Sequence, residues 1–478
     1  MSGTLTVIGG HSTTPSLTGL VTVPSGFTTP LSTSIQALLT AASGAVSTST
    51  ANFENLNVAG ESGAQSASVG TFGTGVLVVS NYNTLNATVP GAANISLNVP
   101  TGYNTLVVEA PGSETISGNG ASNFLGVFGS NSSVNFNFNG SGSIFGSGND
   151  NVTLSGAADS FFGGAGGNNT VNATGGSAAI TLTGAGNSLV TSATSANVLS
   201  SGSSDAITTA GATANAQITV TGSAQIQNSG SSDTVVATGS GVFFGTDNGS
   251  AGGQLDFINS SSAASSIIGS LNLATGAISS PGSVTVSAGA GGGVYDGGIS
   301  GNNSLVGGSG VVTLFSAGIN NYLYADGAAT GSAYNLINAY SGGNDTLVAG
   351  SGTTNNLFFA GIGTESIISS GSGTQNFFVG TEGSETISGS TVSGATNIFF
   401  FQQAASQGGG TDVLQNFKPG NGHINLGDNI SNVTISSFEK LSGVHAGTEI
   451  DLSDGTTVKL FGVAASSFNA SIVGGTHF

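Results

Sequence analysis

The alternation of apolar and polar positions along this chain is periodic. Between residues 341 and 390, Leu347, Leu357, Ile367, Phe377 and Ile387 stand ten residues apart, and two places before each comes a carboxylate or amide side chain: Asp345, Asn355, Glu365, Gln375 and Glu385. Gly343, Gly363, Gly373 and Gly383 stand four places before four of these apolar residues. A second run, Val152, Phe161, Val171, Ile180, Leu189, Val198 and Ile207, is spaced nine or ten apart, and two places earlier stand Asp150, Asp159, Asn169, Ala178, Asn187, Ala196 and Asp205. Fragments of the unit recur as GSETI at 112–116, GSSDTV at 230–235, GNNSL at 301–305 and GINNY at 318–322, so the repeats run from about residue 105 to about residue 400.

A unit this short cannot bury its own apolar residues, so units must stack, two of them making one coil with a strand on each side. The expected fold is therefore all-β, a parallel β-solenoid or β-roll, with glycine at corners where the chain turns through positive φ. Three regions are expected: an N-terminal cap over 1–104, solenoid repeats over 105–410 and a β-rich C-terminal cap over 411–478. The N-terminal cap is read as mixed, because Ile35, Leu38, Leu39 and Ala42 fall at helical spacing and predict one helix over 31–46, while the rest alternates as strands broken by Gly and Pro.

Composition supports a folded all-β chain. The 478 residues include 81 Gly, well above the usual share of about 7 per cent, and 26 Phe supply core material with only 5 per cent charged residues. Twenty-two Asp and Glu stand against three Lys and no Arg, a formal charge of −19. This excludes nucleic acid as a partner, since phosphate binding needs clustered cations, and disfavours anionic membranes for the same reason. No apolar run is long enough to span a bilayer as a helix, so membrane insertion is not expected. The absence of cysteine removes disulfides and thiolate chemistry and suits an oxidising, extracellular setting. The first 26 residues lack the basic and apolar regions of a secretory signal peptide.

The segments FGSGNDNVT at 145–153 and GGNDTLVAG at 342–350 resemble the nonapeptide G-G-x-G-x-D-x-U-x of repeats-in-toxin (RTX) proteins. That resemblance implies calcium held by aspartates at the turns, with Asp150, Asp205, Asp345, Glu365 and Glu385 as candidate metal ligands. Most positions depart from the pattern. Asn169 and Asn187 carry neutral amides, which suit hydrogen-bond ladders, whereas Asp345, Glu365 and Glu385 would stack like charges in one row that is either screened by solvent or bridged by a cation. TDVLQNFKPGNGHINLGD at 411–428 and TEIDLSDGTTVKLFGVAASSF at 448–468 look like the C-terminal cap and secretion region of the same family, with a turn at Pro419 to Gly422 and a hairpin across SDGTT. This resemblance implies an uncleaved C-terminal signal read by a type I exporter, although His423 stands where the family commonly has Asp.

Catalytic chemistry has little to stand on. His11, His423, His445 and His477 are isolated, no phosphate-binding loop with its Lys exists, and the carboxylate pairs Asp451 with Asp454 and Glu382 with Glu385 are explained by a hairpin and a solenoid corner. Phe161-Phe162, Phe358-Phe359 and Phe399-Phe400 each place one ring inward and one outward on a strand. The expectation is a secreted, non-enzymatic structural protein that self-assembles, head to tail or by edge pairing, into a surface layer, fibre or biofilm matrix. The alternatives are an adhesin for cell-surface polysaccharide or ice and, with less in its favour, an enzyme with an RTX tail.

Overall fold

The computed structural model describes residues 141–474 apart from 147, 211–214, 229–231, 240–242, 247–253, 260–264, 269–282, 299–300, 329–332, 340–342, 381, 403–408, 427–432, 439–446 and 468–472, together with the backbone of strands between Gly3 and Phe136. The helix expected over 31–46 lies outside the described residues. No α-helix occurs among the described residues; the chain is an all-β parallel solenoid that divides into two compact units, Met1–Ile226 and Gln227–Phe478.

In the first unit, strands pair in parallel with the strand one coil later. Val152, Val171, Leu189 and Ile207 are in register in one ladder, and Phe161, Ile180, Val198 and Ile218 in the other. All eight are buried. Seven of them are the expected inward set and Ile218 extends it; each side chain of that size withdrawn from water contributes about 1.5–3 kcal/mol. Parallel pairing also reaches back before residue 104, where Gly75–Ser80 lies beside Tyr103–Ala110.

The second unit repeats the plan with larger side chains. Its first ladder stacks Leu305, Leu323, Leu347, Ile367, Ile387 and Leu414 inward, and its second stacks Tyr295, Leu314, Ile337, Phe358, Phe377, Phe399 and Ile424. The Phe rings run down the core at 5.0 and 4.8 Å between centroids for Phe358–Phe377 and Phe377–Phe399.

One expected inward residue is displaced. Leu357 faces outward and Phe358 takes the core position, with Asn356 in place of Asn355 as the buried amide. The inward residue is third in strand Asn356–Phe359 but second in Thr346–Ala349 and Ser366–Ser369, so Phe358 lies 11 residues after Leu347 and 9 before Ile367 while the coil length is unchanged.

The expected positive φ is found at corner glycines such as Gly148, Gly167 and Gly186, and also at Asn149, Asn168, Asn302 and Asn320, but not at Gly343, Gly363, Gly373 or Gly383. At Gly363 the constraint is close approach, because a Cβ there would run into the backbone N and O of Gly343 on the preceding coil.

At the C-terminal end Val433–Phe438, Gly447–Leu452 and Thr457–Phe461 form antiparallel pairs, and Thr457–Phe461 lies parallel to Thr411–Gln415 of the first ladder. The hairpin across SDGTT turns at Gly455, φ +90°, with the Thr456 N–H donating to Asp454 Oδ1 at 3.0 Å. The turn at 418–422 closes through the N–H groups of Asn421 and Gly422 on Lys418 O.

Candidate functional site

In several ladders a polar residue stands two places before the inward apolar residue, and stacking the coils turns these residues into buried rows. In the first unit the row is Asp150, Asn169, Asn187, Asp205. The Asp150 N–H donates to Asn169 Oδ1 at 3.1 Å, and Asn187 Oδ1 accepts both the N–H and Nδ2 of Asn169 at 3.1 and 2.9 Å. Asp205 Oδ1 in turn accepts the N–H and Nδ2 of Asn187 at 3.0 and 2.9 Å, while its Oδ2 accepts Ser200 Oγ at 2.6 Å. The expected amide ladder is thus formed, and both oxygens of its terminal carboxylate have donors. Asp150 Oδ2 accepts the Gly148 N–H at 3.1 Å. Asp159, at the head of a row continued by Ala178 and Ala196, is raised by burial, and its Oδ1 has no donor.

The second unit has a neutral row and an acidic one. In its second ladder Asn335 Nδ2 donates to Asn356 Oδ1 at 3.0 Å and Asn356 Nδ2 to Gln375 Oε1 at 2.6 Å, with Asn397 next in register. In its first ladder the row begins with Asn303 and Asn321, which bond forward as in the first unit. Asp345 Oδ1 accepts the N–H and Nδ2 of Asn321 at 2.6 and 2.9 Å. Four acids then follow on successive coils, Asp345, Glu365, Glu385 and Asp412, with exposures of 1, 1, 0 and 0 %.

Donors are scarce beyond Asp345. Glu365 Oε1 accepts the Gly363 N–H at 3.3 Å and Asp412 Oδ1 accepts the Glu385 N–H at 3.0 Å. Asp345 Oδ2, Glu365 Oε2, both oxygens of Glu385 and Asp412 Oδ2 are buried without a donor. Burial raises all four groups. At Glu365 the charge of Asp345 adds to it; at Glu385 the neighbouring Asp412 and Glu365 push the value up to about 12; at Asp412 the charge of Asp454 adds.

The structure therefore brings Asp345, Glu365 and Glu385 into the expected row and adds Asp412, which sequence reading had taken as part of the cap. Asp412 does carry the signal, since it stands two places before the inward Leu414. A 27-residue separation from Glu385, against the usual 18 to 20, hides it. Asp150 and Asp205 lie in the first unit's amide row. Calcium takes about six to eight oxygen ligands around one point, and among the described residues no group of three His, Cys, Asp or Glu is gathered as a metal site.

The carboxylate pairs noted in the sequence serve local structure: Asp451 Oδ1 accepts Thr457 Oγ1 at 3.1 Å, and Glu382 is exposed while Glu385 is buried. Comparison of the chain with protein-family models, curated proteins and solved structures finds no match.

Proposed function

We propose that the chain is an extracellular structural protein of RTX-like descent, exported by a type I system and assembling with copies of itself into a surface layer, fibre or matrix. One observation carries the self-association. On the outer face of the second unit's second ladder, Leu336 and Leu357 share one column with Ile398, and Phe315, Phe359, Phe378 and Phe400 share the next. From Val312 to Phe401 the other members of these columns are Thr313, Asn338 and Asn376, so no ionisable side chain interrupts them. Two chains of charge −19 repel one another wherever carboxylates meet, and an apolar face free of them is where copies can approach.

The outer rings are stacked at 4.7 and 4.5 Å, turned face to face. Their edges point outward, which favours packing against another apolar sheet over the ring-face contact a polysaccharide would use. Electron microscopy and sedimentation of the wild type and Phe378→Ser test this. Assembly should be lost in the variant with its melting temperature nearly unchanged, and assembly of both alike would sink the reading. Export is tested separately by fusing residues 411–478 to a passenger in a host with a type I exporter, where retention of the passenger would remove that part of the proposal.

A further inference from the structure

Glu365, Glu385 and Asp412 are buried on successive coils of one ladder, Ser366 pairs with Thr386 and Thr386 with Val413, and the Glu385 N–H donates to Asp412 Oδ1 at 3.0 Å, so the carboxyl groups follow one another along the row. Ionised carboxylates only accept, so two facing each other make no bond until one carries a proton. No cation relieves the row among the described residues. Lys459 pairs in register with Val413, faces outward and lies 3.7 Å from Glu449. Lys418 and His423 are exposed, the opposite ladder presents the amides Asn356, Gln375 and Asn397, and the nearby Asp454 is another acid.

We propose that Glu365, Glu385 and Asp412 form a proton-bonded carboxyl chain with the buried Asp345 at its head, so that the last coils of the second unit are held shut by protons taken up on folding and open as the medium becomes alkaline. Closing both contacts of Glu385 takes two protons, which come from solvent and return to it when the coils open. The direction of the pH effect follows from the shifts. All four groups sit higher in the folded chain than in the open one, so their contribution is complete below the ordinary carboxyl range. It is lost as pH rises towards the folded values, of which that of Glu385 is about 12. Each proton held in this window makes the opening constant rise about tenfold per pH unit.

The test is hydrogen exchange of the full chain between pH 6 and 9 in chelator, normalised for the chemical exchange rate, with Thr170–Ala173 of the first unit as internal control. Opening of Ser366–Ser369 and Thr386–Ser388 should steepen with pH in the wild type and be flatter in Glu385→Gln, whose amide is neutral and can donate to an acid neighbour. Infrared spectra at pH 7 should show a protonated carboxyl carbonyl stretch that weakens in the same variant. If Glu385→Gln does not fold, Glu365→Gln gives the same comparison. The absence of that band, equal pH dependence in wild type and variant, or a band and pH dependence both abolished by millimolar calcium would overturn the proposal, the last outcome assigning the row to a cation.

Discussion

Asn187→Ala measures what a buried amide row is worth. Asn187 Oδ1 receives the N–H and Nδ2 of Asn169, and its Nδ2 donates to Asp205 Oδ1 and Gly184 O. Truncation leaves the two Asn169 donors and the Gly184 carbonyl unpaired, while Asp205 keeps the backbone N–H of residue 187. At about 1–3 kcal/mol for each of the three buried orphans the sum is roughly 3–9 kcal/mol, reduced if water enters the space left behind. That is a large part of the ~5–15 kcal/mol by which a domain is stable. Denaturant unfolding gives the total, and hydrogen exchange at Thr170–Ala173 and Ser188–Thr191 locates it. Asn172→Ala, an exposed position on strand Thr170–Ala173 of the same ladder, is the control and should stay within about 0.5 kcal/mol. Asn187→Asp adds a second test, because it sets a buried carboxyl against Asp205, and the variant should recover stability as pH falls. A loss below about 1 kcal/mol for Asn187→Ala would mean that coil stacking owes nothing to the row.

Ile367→Asp, at a core position with 0 % exposure, should cost several kcal/mol and lower the melting temperature of the second unit sharply, as read by circular dichroism. Gly363→Ala should cost about 1–3 kcal/mol through its collision with Gly343, whereas Gly420→Ala, with nothing near its Cβ position, should cost at most about 1 kcal/mol; thermal melts compare the two. Phe358→Ser should cost about 3–5 kcal/mol and Leu357→Ser less than about 1 kcal/mol, and the opposite order in denaturant titrations would restore the uninterrupted ten-residue register.

The period made most of the core legible, because nearly every coil spends the same number of residues on each side. It failed at Leu357, where the inward position moves one place along its strand and the next strand returns to the old place, a change that composition cannot show. The polar rows were legible as residue types two places before each apolar position, which is why the amide ladder and the acids Asp345, Glu365 and Glu385 could be read. Asp412 escaped because the chain takes a longer route between coils, and the carboxyl contacts escaped because they join residues from different coils whose side chains meet only after stacking. The glycine spacing was visible, and positive φ explains corners such as Gly167 and Gly186, but at Gly363 the tight constraint is the backbone of the coil before.

The amide rows have a direction. In both units the order is Asn, Asn, Asp, from Asn169 through Asn187 to Asp205 and from Asn303 through Asn321 to Asp345, and each Asn gives its backbone and side-chain N–H groups to the following coil. An amide can sit anywhere in such a line, since it both gives and receives, but an ionised carboxylate only receives and acts as an end stop. Coils that look interchangeable by their apolar residues are therefore not interchangeable in order. A coil bearing Asn can be duplicated between Asn169 and Asn187 with every donor still matched. The same insertion made with an Asp coil would strand two acceptors against each other, so the rows number the coils and guard a repetitive chain against slipping by one turn.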